Sequence, residues 1–192
     1  MPYNTYRYNI NMNIFQKVTA SVISLTFLTS GSVQARINND HKVLWNTLEN
    51  VGVAVLLNEP DICASENEVA GIYSPSHNVL VVCQDNRLPL TSREVEWTEN
   101  DYDTLRHEAH HALQDCVTGI ENSDMEKFYG TLDHGNIVTD TLTQAQINGI
   151  VEVYEKNGTS RESIVRELEA FAVAYSVSPQ RISEVLSRTC AK

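Results

Sequence analysis

The residues best equipped for chemistry sit together at positions 107 to 111, His-Glu-Ala-His-His. His107, Glu108 and His111 fit the pattern HExxH. On an α-helix, residues four apart stand one above the other on one face, so His107 and His111 can aim two imidazoles at one point. Two such nitrogens can hold a Zn2+ ion at about 2.0–2.1 Å each. Glu108 is one step round the helix, within reach of a water on that metal. Bulk water is a poor nucleophile at neutral pH. Zinc can bring its pKa to about 7, and a neighbouring carboxylate can take the proton as the oxygen attacks a carbonyl.

Such a motif needs a helix to carry it. Tyr102, Leu105, Ala109, Ala112 and Cys116 recur at steps of three and four, which predicts a helix from about Asp101 to its stop at Gly119. Leu105, Ala109, Ala112 and Cys116 form its apolar stripe, and His107 and His111 fall nearly opposite. One face can pack on a sheet while the other turns its imidazoles to a cleft. His110 lies off the ligand face and reads as a residue behind the ligands or on the surface.

A zinc site needs a third protein ligand. A helix predicted from Ser160 to about Tyr175 has the apolar face Ile164, Val165, Leu168, Phe171, Ala172 and Tyr175. Glu167 and Glu169 flank that face on opposite borders, about equally far from its centre. Periodicity does not choose between them.

The remaining elements follow from similar signals. A helix is predicted over 39–49, a buried strand over 51–57, a turn at 58–61, and two strands over 69–73 and 79–83 joined by the loop 74–78. Residues 84–100 read mostly as loop. A short helix is predicted at 124–129, loop at 130–140 and a helix over 141–156 that Asn157-Gly158 ends. Ser178-Pro179 opens a last helix, with proline where its missing N–H does no harm. Strands first and helices after give an α+β fold in one domain: a small antiparallel-edged sheet packed on the HExxH helix, then a helical C-terminal half.

Composition narrows the possible partners. The chain has 192 residues, 42% hydrophobic and 20% charged, with 14 basic against 25 acidic residues and a net charge of -11. An acidic chain without a basic run repels phosphate backbones and anionic lipid surfaces, which argues against nucleic acid as a partner. No run of 18 or more predominantly apolar residues appears, so stable membrane insertion is not expected. Arg7 and Lys17 are the only charges before residue 36, and the apolar run Val18 to Leu28 follows Lys17. Val33-Gln34-Ala35 then offers small residues at the positions a signal peptidase reads. Residues 1–35 are expected to be a secretory signal peptide cleaved after Ala35, leaving 36–192 as a secreted or periplasmic domain. All four cysteines lie in that domain and none forms a CxxC pair. Two disulfides are expected. Cys63–Cys83 would bracket the hairpin region, and Cys116–Cys190 would tie the tail to the central helix.

HExxH followed some tens of residues later by Glu167-Leu168-Glu169-Ala170, with a further alanine at 174, resembles the gluzincin branch of zincin metallopeptidases, most closely small members such as the ImmA/IrrE-type peptidases. The resemblance spans roughly residues 69 to 175, and only the two motif segments are specific. It implies that the glutamate directly before the alanine, Glu169, is the third zinc ligand. It also implies that a strand from the hairpin region lies above the metal and pairs with an extended peptide, with Tyr73 a candidate substrate-binding residue. The chain departs from that family in its export signal and its cysteines. Cys116-Val117-Thr118 follows the motif where a metzincin would continue towards a third histidine.

The function expected is zinc-dependent hydrolysis of peptide or protein substrates, with His107, His111 and Glu169 on Zn2+ and Glu108 as general base. Tyr154, Tyr175 and His134 are candidates for stabilising the oxyanion, and His41 and His77 read as surface residues. The alternatives are a catalytically inactive zincin-like domain that binds a metal or a partner, and a disulfide-stabilised module without metal.

Overall fold

The computed structural model describes residues 37–64, 69–119, 124–128 and 136–190. The expected signal peptide with its cleavage point, and His134, lie outside these residues.

The described chain is mixed α+β, mostly helical. Asn38 opens helix α1 (Asn39–Asn50), its side chain accepting from the His41 backbone N–H at 3.0 Å. Strand β1 (Ala54–Leu57) follows. A short helix α2 (Pro60–Cys63) stands where a plain turn was expected, because Pro60 is preset for a first helical turn. Strands β2 (Gly71–Ser74) and β3 (Val79–Val82) form the expected hairpin, whose turn includes Asn78 at φ 51°.

The sheet order is β1-β3-β2. β3 runs parallel to β1 and antiparallel to β2, with Val55 opposite Leu80 and Gly71 opposite Val82. β2 is therefore an antiparallel edge strand.

Helix α3 (Glu99–Thr118) carries the HExxH residues. Thr98 and Asp101 cap it reciprocally. The Thr98 hydroxyl accepts from Asp101 N–H at 3.1 Å, and the Asp101 carboxylate accepts from Thr98 N–H at 2.9 Å. Gly119, at φ 105°, ends it. The helical half continues with α4 (Ile137–Thr141), α5 (Gln144–Lys156), α6 (Arg161–Ser176) and α7 (Pro179–Thr189). Two expectations change here. Residues 124–127 are not helical, and α4 occupies part of the segment expected to be loop.

The main core lies between the sheet, α1, α3 and α7, where Leu44, Leu48, Leu80, Leu105, Ala109 and Leu186 are all fully buried. A second cluster, Leu142, Tyr154, Ile164, Leu168 and Ala172, joins α5 to α6. α3 thus lies between sheet and helices, with α6 packed along its imidazole side.

Cys63 pairs with Cys83 and Cys116 with Cys190, with Cα atoms 5.4 and 5.3 Å apart. Two disulfides fit an extracellular or otherwise oxidising compartment. Among the described residues, no helix is long and apolar enough to cross a membrane.

Candidate metal centre

α3 sets His107 and His111 one turn apart, and α6 brings a carboxylate to them. That carboxylate belongs to Glu167. His107 Nε2 is 3.2 Å from Glu167 Oε2, His111 Nε2 is 3.4 Å from the same oxygen, and the two ring nitrogens are 3.1 Å apart. Two nitrogens and one oxygen converge on one point. Atoms carrying lone pairs approach this closely only when a proton or a cation lies among them.

The electrostatics show the same pull. Burial works against a charge on His111, but Glu167's charge and hydrogen bond, with help from Glu108 and Gln114, raise its pKa to about 9. Burial alone would raise the Glu167 carboxyl. The His111 charge and the hydrogen bonds from both imidazoles instead hold it well below the usual carboxylate range. Tyr154 on α5 donates its hydroxyl to the same Glu167 Oε2 at 2.7 Å, helping to hold that oxygen beside the imidazoles.

Glu169 does not join the pair. Its Oε2 accepts from Gln114 Nε2 at 2.7 Å and from the Phe128 backbone N–H at 3.0 Å, and His110 Nε2 lies 3.3 Å away. The resemblance had pointed to Glu169, but the crossing of α3 and α6 turns Glu167 to His107 and His111, and Glu169 to His110. His110 itself is fully buried, not on the surface. Burial lowers its pKa, against the opposing pull of Glu169.

Glu108 is buried between β2 and a cleft. The cleft is bordered by His107, Glu108 and Thr104 from α3, Phe171, Ala174 and Tyr175 from α6, and Ala70 beside β2. Close approach of β2 to α3 depends on Gly71. A Cβ there would come 2.5 Å from Thr104 Cγ2, 2.9 Å from the Val81 carbonyl oxygen and 3.1 Å from Glu108 Cγ. Phe171 packs edge-on against His107, ring centroids 4.5 Å apart. Tyr175 stands half-exposed at the rim of the cleft.

Tyr73 turns away from the cleft. It is buried in the main core and donates its hydroxyl to Asp115 Oδ2 at 2.7 Å. Burial first, then that hydrogen bond and the Asp115 charge, push its phenol well up. A substrate-binding role for this side chain does not fit its position. His41 is buried as well. Its ring stacks on Tyr102 at 4.2 Å, and its Nε2 accepts from Arg106 at 2.8 Å.

Sequence reasoning missed Gln114. It is fully buried, and its side chain touches His111, Glu169 and Arg166. Its spacing, three residues past His111 on one helix face, was the available signal.

A family described as a domain of unknown function, DUF8637, matches residues 25–191. The chain belongs to that family. Comparison of this DUF8637 chain with curated proteins and with solved structures found no match.

Proposed function

We propose that the chain is a secreted or periplasmic zinc metallopeptidase of minimal zincin type, with His107, His111 and Glu167 as ligands and Glu108 as general base. One observation carries the reading: two imidazole nitrogens and a carboxylate oxygen converge at 3.1, 3.2 and 3.4 Å from one another, beside the glutamate of HExxH. Ligands about 2.0–2.1 Å from one tetrahedral zinc stand about 3.3–3.4 Å apart. Donor types and spacing both fit.

Bound there, zinc would supply a Lewis acid that acidifies water and polarises a carbonyl. The rest falls to the chain. Glu108 borders the cleft next to His107, where it can take the proton from attacking water and return it to the leaving amine. Tyr154 keeps Glu167 aimed at the histidines. β2 pairs only with β3 among the described strands. Its outer edge is therefore the place for an extended peptide or protein substrate to add. Two disulfides and the N-terminal layout support export.

The test is metal content of the purified protein beside His107→Ala/His111→Ala, then cleavage of a peptide library. About one zinc per chain, lost in the double variant, is expected. Glu108→Gln should keep zinc and lose about 10²- to 10⁴-fold in hydrolysis. Zinc without cleavage of any peptide would leave a metal-binding domain without this activity. No zinc, even after it is supplied, would overturn the metal reading.

A further inference from the structure

The two ligand histidines are held differently. The outer nitrogen of His107, Nδ1, is buried and has no hydrogen-bond partner among the described residues. The outer nitrogen of His111, Nδ1, lies 2.8 Å from Gln114 Oε1. Gln114 cannot be turned the other way. Its Nε2 faces the Arg166 carbonyl oxygen at 3.1 Å and Glu169 Oε2 at 2.7 Å. A carbonyl and a carboxylate both accept, so the amide NH2 must lie between them. The amide oxygen then faces His111, and Nδ1 must be the donor. With Nδ1 donating, the neutral ring has only Nε2, on the side of Glu167 and His107, left to offer a lone pair to a metal.

We infer that Gln114 and Glu169 form a positioning relay that sets the ring orientation and tautomer of His111 for metal binding. Glu169 starts it. Oε2 is fixed by the Phe128 backbone N–H as well as by Gln114, and the side chain is only 5% exposed. Gln114 transmits it, fully buried. Glu126 N–H donates to the Gln114 backbone carbonyl at 3.1 Å, so segment 124–128 grips both members. A metal-bound imidazole normally donates its other N–H to an oxygen that orients it. Here an amide does so, and a carboxylate one residue farther out orients the amide. Glu169 thus contributes to the site without touching the ligands.

The inference rests on the metal reading above, and its test separates the two. Zinc affinity would be measured by competition with a chromophoric chelator for wild type, Gln114→Leu, Glu169→Leu and Glu169→Gln. Thermal melting would be recorded for each without zinc. Gln114→Leu and Glu169→Leu should lose about 10- to 100-fold in affinity. Glu169→Gln keeps an acceptor for Gln114 and should stay within a few-fold of wild type. Wild-type affinity in Gln114→Leu would overturn the relay and leave the metal site standing. Equal loss in Glu169→Gln and Glu169→Leu would also overturn it. Absence of zinc binding in wild type would overturn both. Should Gln114→Leu fail to fold, 15N NMR of zinc-loaded wild type decides. His111 bound through Nε2 with a slowly exchanging Nδ1 proton is expected, and binding through Nδ1 would overturn the relay.

Discussion

Glu167 and Glu169 stand two residues apart on α6, and each touches histidine on α3, yet their surroundings are opposites. Glu169 meets an amide N–H and a backbone N–H. Glu167 meets two imidazole Nε2 atoms and a tyrosine hydroxyl, with its side chain 19% exposed. A carboxylate wrapped in donors is satisfied and becomes part of the scaffold. A carboxylate facing two imidazole nitrogens shares a proton with them, or the cation proposed above. The difference teaches that company, more than residue type, assigns the role. His111 and His41 repeat the lesson. Burial lowers both, but the anion beside His111 raises it to about 9, while the cation Arg106 helps take His41 down to about 4.

The sharpest way to break the comparison is to exchange the two acids' fates. Glu167→Leu should weaken zinc binding beyond the about 100-fold that an outer partner can cost, and Glu169→Leu should stay within it. The reverse order in a zinc titration would return the third ligand to Glu169. Both variants should lose stability in zinc-free protein. Glu169→Leu takes an acceptor from the Gln114 amide and from the Phe128 N–H, at about 1–3 kcal/mol for each. Glu167→Leu takes an acceptor from Tyr154 and the anion from His107 and His111, and should cost at least as much, read from midpoints of urea unfolding.

A smaller effect is expected at the Glu108 side of α3. Gly71→Ala would force β2 and Thr104 apart, at about 1–3 kcal/mol of overpacking. Peptide hydrolysis should fall while bound zinc stays near one per chain. Loss of zinc in that variant would mean that β2 supports the ligands and not Glu108.

The smallest is the pH dependence of His41. Burial comes first, then the Arg106 charge, against Asp40, to hold its pKa at about 4 instead of 6.5. The unfolded chain therefore takes the proton first. This contribution to stability is full above about pH 6.5 and is lost as pH falls through about 4, by no more than about 3 kcal/mol. His41→Gln should flatten that part of the curve in unfolding experiments across pH 4 to 7.

Much of the frame was legible beforehand. The steps of three and four around His107 gave α3, and the loop at 74–78 gave the hairpin. Cysteine positions gave a pairing that the fold adopts. The choice between Glu167 and Glu169 was not legible, because both lie equally far from the centre of the apolar face. The crossing of two helices decides which of them faces His107 and His111, and that crossing is not written in either helix alone. Tyr73 was misjudged for a related reason. A four-residue strand has too few alternations to reveal which face is buried. His41 looked like a surface residue because polar side chains usually are, and His110 read as either behind the ligands or on the surface; here Arg106 and Glu169 give them buried partners.

The Cys116–Cys190 bond has one more consequence. It closes a covalent ring that runs from the end of α3 through α4, α5 and α6 to the end of α7, its two ends 74 positions apart in sequence. A single cut anywhere inside the ring leaves both pieces attached. A protein that is proposed to share its compartment with proteolysis, including its own, would then survive one nick with its two pieces held together and only the mass of one water added, and only a reducing agent would let the fragments separate.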